Sequence, residues 1–254
     1  MADPAAKGGL IVSVHVPKTG GNTFAAALEK RYGKRLAYYY GADDPRTHPL
    51  ARREVGGFDA QMFRDLQNEG VAVLHTHART EALLNAYPEP ERFWIWLREP
   101  ISRTVSHYGH FRRADGSASR NAMLTAVQRD GITLAEFSAL PRISRFQRRY
   151  VEPIGVDGFG FLGVTELMPQ MLPLIGLRDV GTERNVNQGP KSVDLETRKS
   201  LAEALTEEVA LYSAALQHAS SRLRTPAKEG RGPKGISSNW RAMATRATRK
   251  NFTP

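Results

Sequence analysis

The chain has no cysteine among its 254 residues, which excludes disulfides, thiolate zinc sites and cysteine nucleophiles at one stroke. No uninterrupted apolar run approaches the roughly 20 residues of a membrane-spanning helix. Residues 1–7 have neither the basic start nor the apolar core of a secretory signal. A soluble, cytoplasmic protein without a membrane span is therefore the expectation. There is no internal repeat. Acidic residues are scarce in one place: from Ser220 onward nine Lys and Arg face Glu229 alone, so eight of the ten excess positive charges lie there and the body before it carries about +2. That tail also holds Pro226, Gly230, Gly232, Pro233 and Gly235, the composition of a linker rather than of a packed element. The expected organisation is one body, residues 1–220, and a basic extension, residues 221–254. The tail carries no recognised nucleic-acid motif. Trp240, Met243 and Ala247 share a helical face opposite Arg241, Arg246 and Lys250, which makes it a candidate contact for an anionic surface.

The body is long enough for one α/β domain with a sizeable core. Strand-like runs at 10–16, 36–40, 71–75, 92–97 and 160–164 alternate with helical patterns at 22–32, 59–68, from Pro100, at 118–130 and at 134–140. Leu201, Ala204, Leu205, Leu211, Tyr212, Ala215 and Leu216 recur at helical spacing, which predicts one closing helix over 192–222. The alternation predicts a mainly parallel central sheet flanked by helices in three layers.

Two segments carry chemistry. In the first, residues 10–24, an apolar strand runs through Pro17-Lys18-Thr19-Gly20-Gly21-Asn22-Thr23 into a helix. Gly20 and Gly21 permit close backbone approach to an anion, the helix start offers unpaired N–H groups, and Lys18 adds a mobile charge. Lysine precedes the glycines here, whereas a Walker A loop places it after them and follows it with a hydroxyl for magnesium. This order disfavours an ordinary P-loop NTPase. In the second segment, a buried strand ends at Arg98 and a helix beginning near Pro100 carries Ser106 two turns in. A guanidinium with a hydroxyl makes a clamp for a phosphate, since the planar fork matches two phosphate oxygens.

The first segment resembles the 5′-phosphosulfate loop of sulfotransferases that use 3′-phosphoadenosine 5′-phosphosulfate (PAPS). The second, R-[DE]-P-x-x-R-x-x-S from Arg98 to Ser106, resembles the 3′-phosphate motif of the same superfamily. With Leu74-His-Thr-His77, Gly163-Val-Thr-Glu166 and the Leu211-Tyr212 helix, the body is similar to the branch that includes heparan sulfate 2-O-sulfotransferases and related bacterial enzymes. The resemblance implies a P-loop-like sulfotransferase fold and transfer of a sulfuryl group from PAPS to an acceptor hydroxyl, carbohydrate being the favoured acceptor and an anionic one suiting the basic charge. Adenosine 3′,5′-bisphosphate would be the product, and no metal is required. It places Pro17, Lys18, Thr19, Gly20, Gly21, Asn22, Thr23, Arg98 and Ser106 around the nucleotide phosphates, Thr165 near the adenine, and Asn185 in a covering loop at 185–191.

Lys18 is the expected stabiliser of the leaving oxygen. For the acceptor proton, histidine is apt because its ordinary pKa of about 6.5 leaves it largely neutral at pH 7. His75 and His77 lie two apart at the carboxyl end of a strand and so share a side. The resemblance assigns His77 as the base and His75 as its helper. No carboxylate or cysteine cluster accompanies them, so a metal site is not expected. Trp94 and Trp96 are assigned to the sheet core, and His107 and His110 to packing or solvent. The alternatives are a nucleotide kinase of similar fold and a non-catalytic anion-binding or nucleic-acid-binding protein.

Overall fold

The computed structural model describes residues 9–52, 57–114, 122–178 and 193–224. Five strands, β1 (Ile11–Val14), β2 (Leu36–Tyr39), β3 (Val73–Thr76), β4 (Phe93–Leu97) and β5 (Phe161–Val164), form one sheet in the order β2-β3-β1-β4-β5. Every pairing is parallel. The helices are α1 (Gly21–Tyr32), α2 (Ala60–Asn68), α3 (Thr80–Ala86), α4 (Pro100–Arg113), α5 (Ala122–Gln128), α6 (Leu134–Ala139), α7 (Pro141–Ser144), α8 (Arg148–Val151), α9 (Met168–Met171), α10 (Leu195–Ala204) and α11 (Thr206–Arg224). No described helix is long and apolar enough to cross a membrane.

Parallel strands covered on both faces carry near-continuous apolar runs instead of alternation. Phe93-Trp-Ile-Trp-Leu97 is the clearest case, with all five residues buried. Trp94 and Trp96 are both core residues. Opposite Trp96 in the β4–β5 register stands Gly163, where an added Cβ would lie 2.5 Å from the indole ring. The glycine of the Gly-Val-Thr-Glu segment is thus required by packing.

Chain order places the crevice. From β1 the chain passes to β2 and β3 on one side, then returns across β1 to β4 and β5 on the other. In open parallel sheets this switch point is where ligands sit, at the carboxyl ends of the strands. The residues that follow β1, β3 and β4 are the Lys18 turn, His77 and Arg98.

Several boundaries differ from the sequence expectation. Strand β3 begins at Val73, because the Val71 and Ala72 N–H groups are taken by Leu66 and Arg35 carbonyls. The helix expected at 118–130 covers Ala122–Gln128, its first residues lying outside the described part. The closing helix is two helices, α10 and α11. The Thr206 hydroxyl bonds back to the Ala202 and Glu203 carbonyls at 3.3 and 2.7 Å, which bends a helix. Packing explains the break: Leu201 and Leu205 join Ile101 in a small separate cluster, whereas Ala215 and Ala219 of α11 belong to the main core.

Candidate functional site

The turn after β1 is held by hydrogen bonds to four of its carbonyls, those of Val16, Lys18, Thr19 and Gly20. The Thr19 hydroxyl, fully buried, donates to Val16 O at 2.8 Å. Arg98 Nη1 donates to Lys18 O at 3.3 Å, Thr165 Oγ1 to Thr19 O at 2.8 Å, and Phe24 N to Gly20 O at 3.1 Å. The Phe24 bond is the first of α1, so the N–H groups of Gly21, Asn22 and Thr23 receive no helix carbonyl. Helix α1 has no side-chain cap and no acidic residue in its first turn. Carbonyls satisfied and amides left over are what an anion-binding turn needs.

Strain sits on the residue with the charge. Lys18 is the one non-glycine residue with positive φ among those described, at 72°, a conformation that costs about 1–3 kcal/mol and is held only by its surroundings. Burial lowers the Lys18 pKa, and Arg113 and then Arg98 lower it further. Lys18 in turn helps lower the pKa of His110, after burial. The last turn of α4 thus approaches the loop with charge of the same sign, an arrangement suited to an anionic occupant. Gly20 has φ 81° and would bring a Cβ to 3.0 Å of Met168 Cε.

The second motif is assembled around Arg98. Pro100 opens α4, and Glu99 caps it by accepting from the Ile101 and Ser102 N–H groups at 3.1 and 2.8 Å. The acid of the motif is therefore a helix cap. Ser106 is buried on α4. The motif's middle arginine, Arg103, is fully buried, stacked 4.3 Å over Phe146 and bonded toward His107 Nδ1 and Thr104 Oγ1 at 3.2 and 3.1 Å. Thr165 Oγ1 lies 2.9 Å from Leu97 O and 2.8 Å from Thr19 O, so its one proton is shared between the end of β4 and the β1 turn. Asn185 and the 185–191 loop lie outside the described residues, as does the basic tail from residue 225.

Three imidazoles gather on the other side of the turn. His15 stacks on His77 with ring centroids 4.1 Å apart and lies 5.0 Å from His75. His75 is completely buried, with its Nδ1 2.7 Å from Ser13 Oγ. Burial, reinforced by His77, holds its pKa down to about 3. His15 is also buried, and its pKa is lowered well below 6.5, by burial first and then by its neighbours His75, His77 and Lys18. His77 is exposed at its edge. Its inner side lies against His15 and against Tyr40, whose ring centroid is 4.7 Å away. That partial burial lowers its pKa, with the His15 carbonyl opposing.

The bond from His77 Nδ1 to His15 O, 3.0 Å long, settles the tautomer. A carbonyl can only accept, so Nδ1 carries the proton and Nε2 of the neutral ring holds the lone pair. His107 packs among Phe111, Phe137 and Phe146, while His110 is exposed. No group of three or more His, Cys, Asp or Glu among the described residues is arranged to hold a metal ion.

His15 is the residue that the sequence reading missed. The signal was present: Ser13 and His15 are two apart in an otherwise apolar strand, and Ser13 pairs in register with His75. His15 also dictates Gly21, since a Cβ there would lie 1.7 Å from His15 Nε2. Two surface clefts, about 330 Å³ beside Arg79 and Arg149 and about 150 Å³ beside Arg35 and Gly70, include none of the phosphate-turn, Arg98 or histidine residues. The site is identified by its donors and bonds, not by its concavity.

No protein-family model and no curated protein matches the chain. Among solved structures, the chain is similar to mouse sulfotransferase SULT7A1 complexed with PAP, at 13% identity and a TM-score of 0.38, covering 91% of this chain and 69% of that one. Similarity at that level carries no inference about this chain's fold or chemistry.

Proposed function

We propose that this chain is a PAPS-dependent sulfotransferase that moves a sulfuryl group to an acceptor hydroxyl. The carrying observation is the bond from Arg98 to the Lys18 carbonyl, which joins two separately legible phosphate motifs into one site. In this reading the amides of Gly21, Asn22 and Thr23 receive the 5′-phosphosulfate, and Arg98 with Ser106 receives the 3′-phosphate. Lys18 neutralises the phosphate oxygen as its bond to sulfur breaks, a task in which a preorganised donor contributes most.

His77 takes the acceptor proton. Its Nε2 lone pair is turned away from the His15 carbonyl by the Nδ1 bond, and its lowered pKa keeps it neutral at physiological pH. The acceptor oxygen bonds to sulfur while the sulfur–phosphate oxygen bond breaks, releasing adenosine 3′,5′-bisphosphate. His75, buried beneath, is a packing partner in this scheme. The acceptor side is lined by Tyr40 and by Arg46, whose guanidinium lies 4.3 Å over the Tyr40 ring. An aromatic face beside that guanidinium, which is itself paired with the Asp44 carboxylate at 2.8 Å, supports a hydroxyl-rich acceptor such as a carbohydrate.

Calorimetry with adenosine 3′,5′-bisphosphate and with ATP, each with and without magnesium, tests the reading. Metal-independent binding of the bisphosphate, stronger than that of ATP, is expected. Magnesium-dependent ATP binding and turnover would instead establish a kinase.

A further inference from the structure

Two hydrogen-bonded chains run from one face of α11 to the adjoining main-chain groups of Arg98 and Glu99. In the first, both carboxylate oxygens of the buried Glu208 accept main-chain N–H bonds, from Gln147 at 3.0 Å and Arg148 at 2.8 Å. The Gln147 side chain, completely buried, then holds Arg98 twice: Arg98 N donates to Gln147 Oε1 at 2.8 Å, and Gln147 Nε2 donates to Arg98 O at 2.9 Å. In the second, Tyr212 OH donates to Glu166 Oε2 at 2.8 Å, and Glu166 Oε1 accepts from Glu99 N at 3.0 Å. Glu208 and Tyr212 are four residues apart, one helical turn, on the same side of α11.

Arg98 stands one residue past the end of β4 and two before the start of α4, where neither a strand partner nor a helix ladder fixes its peptide groups. A primary amide presents a donor and an acceptor side by side, so Gln147 replaces the missing peptide partner. Such a bond pair is wasted on a residue whose side chain is free to roam. Here the guanidinium reaches the carbonyl of Lys18.

We propose that Gln147 and Glu208, with Glu166 and Tyr212 in parallel, are positioning residues for the 3′-phosphate clamp, fixing the Arg98–Glu99 main chain from α11. The inference rests on the PAPS reading above. It makes the closing helix part of the nucleotide site without any contact from that helix to the nucleotide, and it assigns Gln147, which belongs to neither phosphate motif, a role in substrate discrimination.

The test measures binding of adenosine 3′,5′-bisphosphate and of adenosine 5′-phosphate by calorimetry to wild type, Gln147→Met, Tyr212→Phe and Arg98→Ala, and to each of the first two variants combined with Arg98→Ala. Gln147→Met should weaken the bisphosphate by about 10- to 100-fold, the range expected when a charge-assisted hydrogen bond from Arg98 is lost. Tyr212→Phe, which removes one hydroxyl from the more exposed chain, should weaken it about 2- to 10-fold. Both losses should nearly vanish for the monophosphate and in the Arg98→Ala background. Equal losses for the two ligands, or losses that persist in full without Arg98, would mean that these residues only support the fold. Should Gln147→Met fail to fold, Tyr212→Phe decides by the same comparison. A wild type that does not prefer the bisphosphate would overturn the 3′-phosphate reading and this inference with it. A wild type that does, with Arg98→Ala losing the preference and Gln147→Met keeping it, would overturn the positioning inference alone.

Discussion

The two halves of the site differ in charge. The half around Lys18 and Arg98 is fixed by hydrogen bonds to main-chain carbonyls, and its neighbouring charges, Lys18, Arg98 and Arg113, are all positive. The half around His15, His75 and His77 is fixed by ring packing together with the His77–His15 carbonyl and Ser13–His75 bonds, and burial keeps its groups neutral. Cations near one another suit an anion, and of the three imidazoles only His77 is exposed, with Nε2 open to a proton. In the proposed reaction the first half would bind and release the nucleotide, and the second would serve the acceptor.

Substitutions on either side sharpen that contrast or break it. The largest effect is expected at His77, where alanine should reduce kcat by on the order of 10² to 10⁴ with nucleotide affinity nearly unchanged, measured at saturating PAPS. Because the His77 pKa lies below its ordinary value, the base stays neutral further into acid. The acidic limb of the wild-type pH–rate profile should therefore fall below about pH 6.5 and disappear in the variant. An unchanged profile in His77→Ala would assign the proton to another group.

Next is Lys18→Ala, expected to cost on the order of 10² to 10³ in kcat with a smaller loss of nucleotide affinity, because the charge acts most on the leaving oxygen. A variant that turns over normally once given more PAPS would place Lys18 in binding alone and blur the contrast. Arg98→Ala should weaken adenosine 3′,5′-bisphosphate by about 1.5–3 kcal/mol and barely affect the monophosphate, as read by calorimetry.

Gly21→Ala tests the point where the halves meet. Its Cβ would press on His15 Nε2, an overpacking that should cost about 1–3 kcal/mol of stability in denaturant titration and disturb the His15–His77 stack. Wild-type stability at Gly21→Ala would show that His15 yields freely. The mildest effect near neutrality is on stability itself. His75 and His107 are each held down to about 3 by burial, whereas an unfolded histidine takes up its proton near pH 6.5. As pH falls from 6.5 towards 3 the unfolded chain binds protons that the folded one does not, so stability should decline across that window. A denaturation midpoint that stays flat from pH 7 to pH 4 would contradict this.

Much of the site was legible because its local signals are short in sequence. The Pro17–Thr23 turn is seven consecutive residues whose glycines and helix start declare an anion site, and Arg98 to Ser106 is a strand end, a proline and one stretch of helix. What surrounds and joins those segments was less legible. Thr165 lies in neither segment, yet its hydroxyl sits against the Thr19 and Leu97 carbonyls and so ties them together. His75, expected as the helper of the base, is fully buried within β3 against Ser13 and His15. The single closing helix is two, since its apolar positions serve two separate clusters that one straight stripe could not reach.

The sequence by itself determined the parallel α/β architecture, the glycine turn after β1 and the arginine-bearing helix start, all of which follow from hydrophobic period, glycine placement and capping over a few residues. Tertiary structure alone decided that Arg98 bonds the Lys18 carbonyl across 80 positions, that His15 lies stacked on His77 across 62, and that Gln147 and Glu208 hold Arg98 in place. Contacts of that range depend on strand order and register, and no periodicity within a single segment encodes which strand will become its neighbour.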